Sequence, residues 1–359
     1  MIRHSPLNTT IALGLLALAA CERPTDPSAE APAKTPGAPS PSALTTSRFW
    51  TVEAWMPTAR RSLKAATVNG VIYAIGGYGY APGAGVSQIR PKVEAYDVAT
   101  NTWTLKKPLP EPLEPNGATN INGKIYVAGG QSNERISKAL YVYDPTTDGW
   151  TRKADLPYAI AFAAGQQGTI NGKLYVYAGV TINSDGSAGP QRFFRYNPAT
   201  NTWATLGPPS YARRGGTSGV INGRLYLLGG TLPASRFGEG KAYDVHIYDP
   251  ATGWTKKPLG QFGLDSWGLA SAPQSGKLYI VGTNRNEDCD YNVSAVYDPL
   301  SNTLLGFYAR APLRFAAAGA AAKGQFFVIG GTDYEPPDRY GSCALGDGVL
   351  TSQVLSYTP

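Results

Sequence analysis

Histidine is almost absent: the 359 residues contain 2, and one of these, His4, stands at the extreme N-terminus. The single remaining histidine, His246, cannot build a centre of several imidazoles, and the chain shows no Ser-His-Asp set or Cys-His pair. Because His246 falls within a repeated strand, it is expected to be a packed side chain. Charge is scarce too, at 16% of residues against a typical quarter. The net charge of +7 is spread along the chain with no dense basic block, which argues against nucleic acid as a partner. The longest apolar run, Ile11–Ala20, is half the roughly 20 residues a membrane-spanning helix needs. Metal-ligand spacing is missing around the three cysteines, and the glycines form neither a phosphate loop nor a dinucleotide fingerprint. No cofactor or metal is therefore expected.

What the chain has is glycine (42), proline (29) and tyrosine (22), a mixture that favours short strands separated by turns. At the N-terminus, Arg3 followed by the short apolar run IALGLLALAA reads as a signal peptide over residues 1–20. The run ends Leu18-Ala19-Ala20-Cys21, which resembles a bacterial lipobox. That resemblance implies cleavage before Cys21 and its lipidation, with several acyl chains making the anchor stable. Residues 21–47 are dominated by Pro, Ala, Ser and Thr and read as an extended, disordered tether. The expected location is the cell envelope, lipid-anchored on the periplasmic face or the outer membrane surface. Glu22, in place of the aspartate linked to inner-membrane retention, leans toward the outer membrane.

Residues 48–359 repeat themselves with a period of about fifty. Each unit opens with a turn, an apolar strand and a glycine pair: NGVIYAIGG at Asn69–Gly77, NGKIYVAGG at Asn122–Gly130, NGKLYVYAG at Asn171–Gly179 and NGRLYLLGG at Asn222–Gly230. Weaker copies are SGKLYIVGT at Ser275–Thr283 and KGQFFVIGG at Lys323–Gly331. A second element ends in tryptophan at Trp103, Trp150, Trp203 and Trp254, while the fifth copy, AVYDPLSNTLL, lacks it. Asn-Gly supplies the positive φ of a two-residue type I′ hairpin, and the Asp-Pro…Asn segment supplies the next tight turn. Each unit is thus expected to be a four-stranded sheet, and such sheets bury their faces by stacking around a ring.

The glycine pair, tyrosine and tryptophan at this period resemble the kelch motif. The resemblance implies an all-β, six-bladed kelch β-propeller with four-stranded blades. The last unit stops at Ser356–Pro359, where its outermost strand should begin, and RFWTVEAW places Trp50 in register with the other tryptophans. Strand Phe49–Ala54 is therefore expected to close the last blade and remove an open sheet edge.

By the same resemblance, the long two-to-three loops and the inter-blade connections share one face, where binding residues concentrate. Arg60, Arg61, Arg213, Arg214 and Arg314 occupy equivalent connections and are expected around the channel mouth. Tyr80, Tyr211, Trp267 and Phe315 stand near enough to stack on a sugar ring, while Arg135, Arg192, Arg236, Arg285 and Arg339 lie in outer loops. Two readings stay open: these arginines grip an acidic ligand, or they belong to the repeat and pair internally. Asn286–Asn292 gathers carboxylates and amides but does not fit an EF-hand loop, and it reads as a solvated loop. Cys289 and Cys343 fall in loops of adjacent blades and are expected to form a disulfide in an oxidising compartment, contributing roughly 4 kcal/mol.

Galactose oxidase resembles this chain in its repeats, but its copper requires two histidines, and His246 alone excludes it. Periplasmic sialic acid mutarotase is also similar, and that likeness implies a carboxylate beside the arginines, with Glu111, Glu114, Glu239 and Asp265 as candidates. The expected function is a non-catalytic binding module, monomeric, touching the membrane only through its lipid and recognising a protein or acidic carbohydrate. A mutarotase-like sugar isomerase is the alternative.

Overall fold

The computed structural model describes residues 50–80, 87–160, 165–183, 188–235, 238–259, 264, 268–285, 290–306, 314–333 and 349–359. Among these there is no α-helix, and six antiparallel sheets follow one another along the chain, five of four strands and the second with a fifth, Glu114–Pro115, added to its four. The first sheet shows the pattern: an inner strand Lys64–Val68 pairs with Val71–Ile75, which pairs with Val93–Asp97, which pairs with the outer strand Thr102–Lys106. The remaining inner strands are Ala118–Ile121, Gly165–Ile170, Thr217–Ile221, Ala270–Gln274 and Ala318–Ala322. Each contacts the next, and the sixth contacts the first, so the blades close a ring.

The expected turns are present. Asn69 and Gly70 have φ of 50° and 80°, as a type I′ hairpin demands, and the outer turns place Asn101, Asp148, Asn201 and Asn302 at positive φ. The glycine pairs serve close approach: a Cβ on Gly76 would lie 2.3 Å from the Leu113 carbonyl oxygen of the next connection.

A belt of aromatic pairs joins the blades. The second-strand aromatic of each blade meets the third-strand tyrosine of the next: Tyr73 with Tyr143 at 5.6 Å, Tyr126 with Tyr196 at 6.2 Å, Tyr175 with Tyr248 at 5.5 Å. Tyr226 with Tyr297 at 5.7 Å, Tyr279 with Tyr357 at 6.3 Å and Phe327 with Tyr96 at 6.0 Å complete the circle. Farther out, the tryptophan indoles donate to the strand leaving the preceding blade: Trp103 to Ala54 O, Trp150 to Lys107 O, Trp203 to Ala154 O and Trp254 to Gly207 O, at 2.8–2.9 Å. The fifth blade holds Leu304 in that register, and there Asn302 Nδ2 donates to Pro258 O at 2.8 Å instead.

The chain ends share the sixth blade. Thr51 pairs with Ser356 and Val52 with Leu355, so the outer strand comes from the N-terminal side of the repeats; among the described residues it is Thr51–Val52, with Trp50, Glu53 and Ala54 outside it. Glu53 fixes it there. Its amide donates to Val354 O at 2.9 Å, and its carboxylate accepts the Ser356 hydroxyl at 2.6 Å and, across the blade boundary, the Tyr96 hydroxyl at 3.3 Å.

Candidate functional site

The connections between blades pair with the bases of the two-to-three loops: Arg61 with Tyr78, Glu114 with Gln131, Arg214 with Thr231 and Phe315 with Thr332. Both kinds of segment therefore emerge at one end of the ring, as the sequence implied.

The recurring arginines divide into two kinds. Arg60, Arg213 and Arg314 are completely buried, which corrects their placement around the mouth and favours, of the two open readings, internal pairing over a grip on a ligand. Arg60 Nη2 donates to Glu94 Oε2 at 2.9 Å, and Glu94, itself buried, also accepts the Thr58 hydroxyl at 2.8 Å. Arg213 pairs with Asp244 at 2.6 Å and donates to Leu227 O, Gly229 O and Asp244 O. Arg314 bonds Asp333 and Gln353 and donates to Gly330 O at 3.1 Å. In Arg213 and Arg314 the guanidinium ties the ends of the second and third strands together, whereas in Arg60 it is held by the Glu94 carboxylate. Leu113, also fully buried, occupies the equivalent place in the second blade and shows that the position is one of packing. Burial lowers Arg60 to about 10 against the opposing pull of Glu94, leaving it charged at neutral pH.

Arg61 and Arg214, one residue later, are half-buried. Arg61 lies over the Tyr78 ring at 4.9 Å. Tyr211 is half-buried and donates its hydroxyl to Asp244, and the Lys256 amine lies 5.3 Å from the centre of its ring. Phe315 is half-buried as well. Arg135 reaches Glu111 at 3.1 Å, and Arg192 lies over Tyr158 at 5.2 Å. The side chains of Tyr80, Arg236, Glu239 and Arg285 lie outside the described residues, as do Cys21, Asp265, Trp267, Cys289, Arg339, Cys343 and most of Asn286–Asn292. Of the carboxylates considered for proton transfer, Glu111 is held by the Ser137 hydroxyl at 2.6 Å, the Tyr141 hydroxyl at 3.2 Å and Arg135, a structural arrangement.

The channel at the ring's centre was not anticipated as a site. Its deeper part, about 350 Å³, is walled by two stacked rings of inward-facing residues. One ring is Ala65, Ala118, Gln167, Ser218, Ser271 and Gly319, and the other is Thr67, Asn120, Thr169, Val220, Pro273 and Ala321. None carries a charge. Toward the loop end the channel opens into a cavity of about 130 Å³ reached by Lys64, Asn116 and Gln166. Lys64 stands where the other inner strands or their lead-ins hold Gly117, Gln166, Thr217, Ala270 and Ala318, and only an alignment of all six repeats exposes that departure.

A family model described as the KLHDC2/KLHL20/DRC7 Kelch-repeats domain matches residues 44–230. Kelch-like protein terF of Aspergillus terreus is 26% identical over 76% of this chain and 61% of its own length. Kelch-like protein 25 of Xenopus tropicalis, also 26% identical, aligns with 63% of this chain and 35% of its own. The chain thus spans less than two thirds of either relative. The solved structure of YjhT shares the fold, with a TM-score of 0.62 and 16% identity over 86% of this chain and 97% of that one.

His246 is buried, as expected, against Tyr211 at 4.5 Å and Trp254 at 6.2 Å, with neither ring nitrogen hydrogen-bonded. Burial first, then Arg213, lowers it from 6.5 to about 4, so the folded chain holds it neutral where the unfolded chain takes up a proton. Stability is therefore expected to fall as pH drops from about 6.5 to about 4, and to change no further through this group below that. Thermal melts across this window should slope less in His246→Phe, which places there the residue blade three carries as Phe194. An equal slope in both proteins would contradict the assignment.

Proposed function

Because the chain belongs to the kelch-repeat family, we propose that it is a binding module without catalytic activity, recognising a protein or an acidic glycan through the loop-bearing end. Kelch domains generally mediate protein binding, which supports the interaction role. One observation carries the choice of end: loops whose bases pair with the inter-blade connections stand on a rigid ring, the setting in which binding residues concentrate. With Arg60, Arg213 and Arg314 committed inside, the contacts fall to the half-buried Arg61, Arg214, Tyr211 and Phe315. A planar guanidinium suits a carboxylate, and an aromatic face suits a sugar ring or apolar side chain.

The sequence of residues 1–47 supports a lipid-anchored envelope protein, with Cys21 as the acylated residue and a Pro-rich tether holding a monomeric ring off the membrane. The oxidising setting favours a Cys289–Cys343 bond between neighbouring loops.

A direct test of the binding end is surface-immobilised polygalacturonate and hyaluronan, with the double variant Arg61→Glu/Arg214→Glu set against Lys257→Glu on an outer strand. The double variant should bind about tenfold more weakly, mainly through slower association that salt suppresses, while Lys257→Glu behaves as the unaltered protein. Equal loss in both variants would reduce the binding to general charge attraction and overturn the choice of end.

A second reading, a mutarotase-like sugar isomerase, is favoured by one feature: Glu114 and Lys64 line the same recess at the channel mouth, giving a carboxylate and an amine for proton transfer. Under it, sialic acid anomer exchange followed by NMR should accelerate with the unaltered protein and slow with Glu114→Gln. No acceleration by the unaltered protein would remove this reading.

A further inference from the structure

One outer-strand position, two residues past the tryptophan register, holds Leu105, Arg152, Thr205, Lys256, Gly306 and Val52 around the ring. Arginine, threonine, lysine and glycine suit a rim in water. Blades one and six instead place large apolar side chains there, with Leu105 63% and Val52 54% exposed.

A second departure stands beside them. The amides of Met56, Leu109, Leu156 and Leu259 donate to Ser352 O, Pro91 O, Lys138 O and Tyr243 O, which aligns the preceding residue Trp55 with Pro108, Asp155 and Pro258. Trp55 is 60% exposed, and no hydrogen bond engages its indole among the described residues. It shares the seam between blades six and one with Leu105. The adjacent Ala54 donates its amide to Asn101 Oδ1 and accepts the Trp103 indole, while Thr58 donates to Glu94, the residue opposite Leu105. Lys106 and Lys107 follow Leu105 and form no ion pair among the described residues. The Asp148 carboxylate on which their charge acts accepts the Tyr143 hydroxyl and the Lys107 amide.

Apolar side chains gathered where two neighbouring blades depart from the repeat, and needed by neither for packing, call for a covering surface. The chain indicates which one: residues 21–47, read as the tether, lead into blade six at Trp50, five residues before Trp55. A protein partner needs a complementary surface of roughly 1,000 Å² or more. A bilayer interface needs no matching shape, holds tryptophan at headgroup level and attracts lysine to anionic lipid.

We propose that this seam rests on a bilayer bearing anionic headgroups, with Trp55, Leu105 and Val52 entering the boundary between headgroups and acyl chains and Lys106 and Lys107 meeting the phosphates. The ring then touches the membrane itself, in addition to the lipid. The proposal rests on the reading of residues 1–47 as an acylated anchor and tether. A segment of that composition reaches roughly 80 Å in the polyproline form, so the ring can stand off or come down. The seam sets the side on which it comes down, on the rim and not on the loop-bearing end.

The full-length protein from a bacterial host is placed on vesicles of phosphatidylcholine and phosphatidylglycerol whose acyl chains carry bromine, which quenches tryptophan at contact. Part of the tryptophan emission should be quenched, and Trp55→Phe should abolish that part. The double variant Val52→Gln/Leu105→Gln, which keeps every tryptophan, should lower the quenching by about half or more. Lys106→Ser/Lys107→Ser should remove the excess quenching on phosphatidylglycerol over phosphatidylcholine alone. Matched melting temperatures show that the variants fold. Unchanged quenching in Trp55→Phe, or none in the unaltered protein at saturating lipid, would overturn the docking, and an excess that survives in the lysine variant would overturn the role of the lysines. The anchor is read separately, from the mass of the peptide that begins at Cys21. A peptide without acyl chains refutes the anchor, while quenching at raised lipid concentration still decides the seam.

Discussion

The aromatic contact between one blade's second strand and the next blade's third strand, made six times around the ring, is the constraint on which the structure depends. A four-stranded sheet has two apolar faces and cannot cover either alone, so its stability exists only in the presence of neighbours. Aromatic pairs of this geometry contribute about 0.5–1.5 kcal/mol each beyond the area they bury. Against a net stability of roughly 5–15 kcal/mol for a folded domain, one open interface is a serious loss. The interface most exposed to that loss lies between blades six and one, where Phe327 meets Tyr96 and where the outer strand has come from the far end of the chain.

Closure of the ring explains how the other parts divide their work. Repeated positions near the blade centres carry packing, and the loop-bearing end inherits a rigid base. Buried arginines serve that base: Arg213 and Arg314 tie strand ends at the glycine pairs, and Arg60 is held by Glu94. What remains for recognition is the residue after each arginine, the loop tips and the channel, whose wall of small and polar side chains follows from the need for six inner strands to crowd around one axis.

Strand order, turn chemistry and ring closure were legible in the sequence, because each follows from a repeat whose period survives without coordinates. Burial of Arg60, Arg213 and Arg314 was legible only as one of two open readings. Asp244 and Gln353 share one place, four residues before Tyr248 and Tyr357, but Glu94 lies two before Tyr96 and Asp333 follows the second strand of its blade, so no single spacing announces the partners. The one available signal was Leu113 at the same position in the second unit, since a leucine is tolerated only where the site is packed. Lys64 escaped notice for the opposite reason: it is a singular departure in one repeat, and attention to what the units share passes over it.

The closing strand offers the most direct measurement of this account. A chain beginning at residue 54 lacks Thr51, Val52 and Glu53, while one beginning at residue 48 keeps them, and both omit the same tether. The shorter chain is expected to melt well below the longer one, with the amides of Val354–Tyr357 losing their protection from hydrogen exchange. Equal melting temperatures and equal protection would mean that the ring does not depend on this strand, and the account of its closure would be wrong.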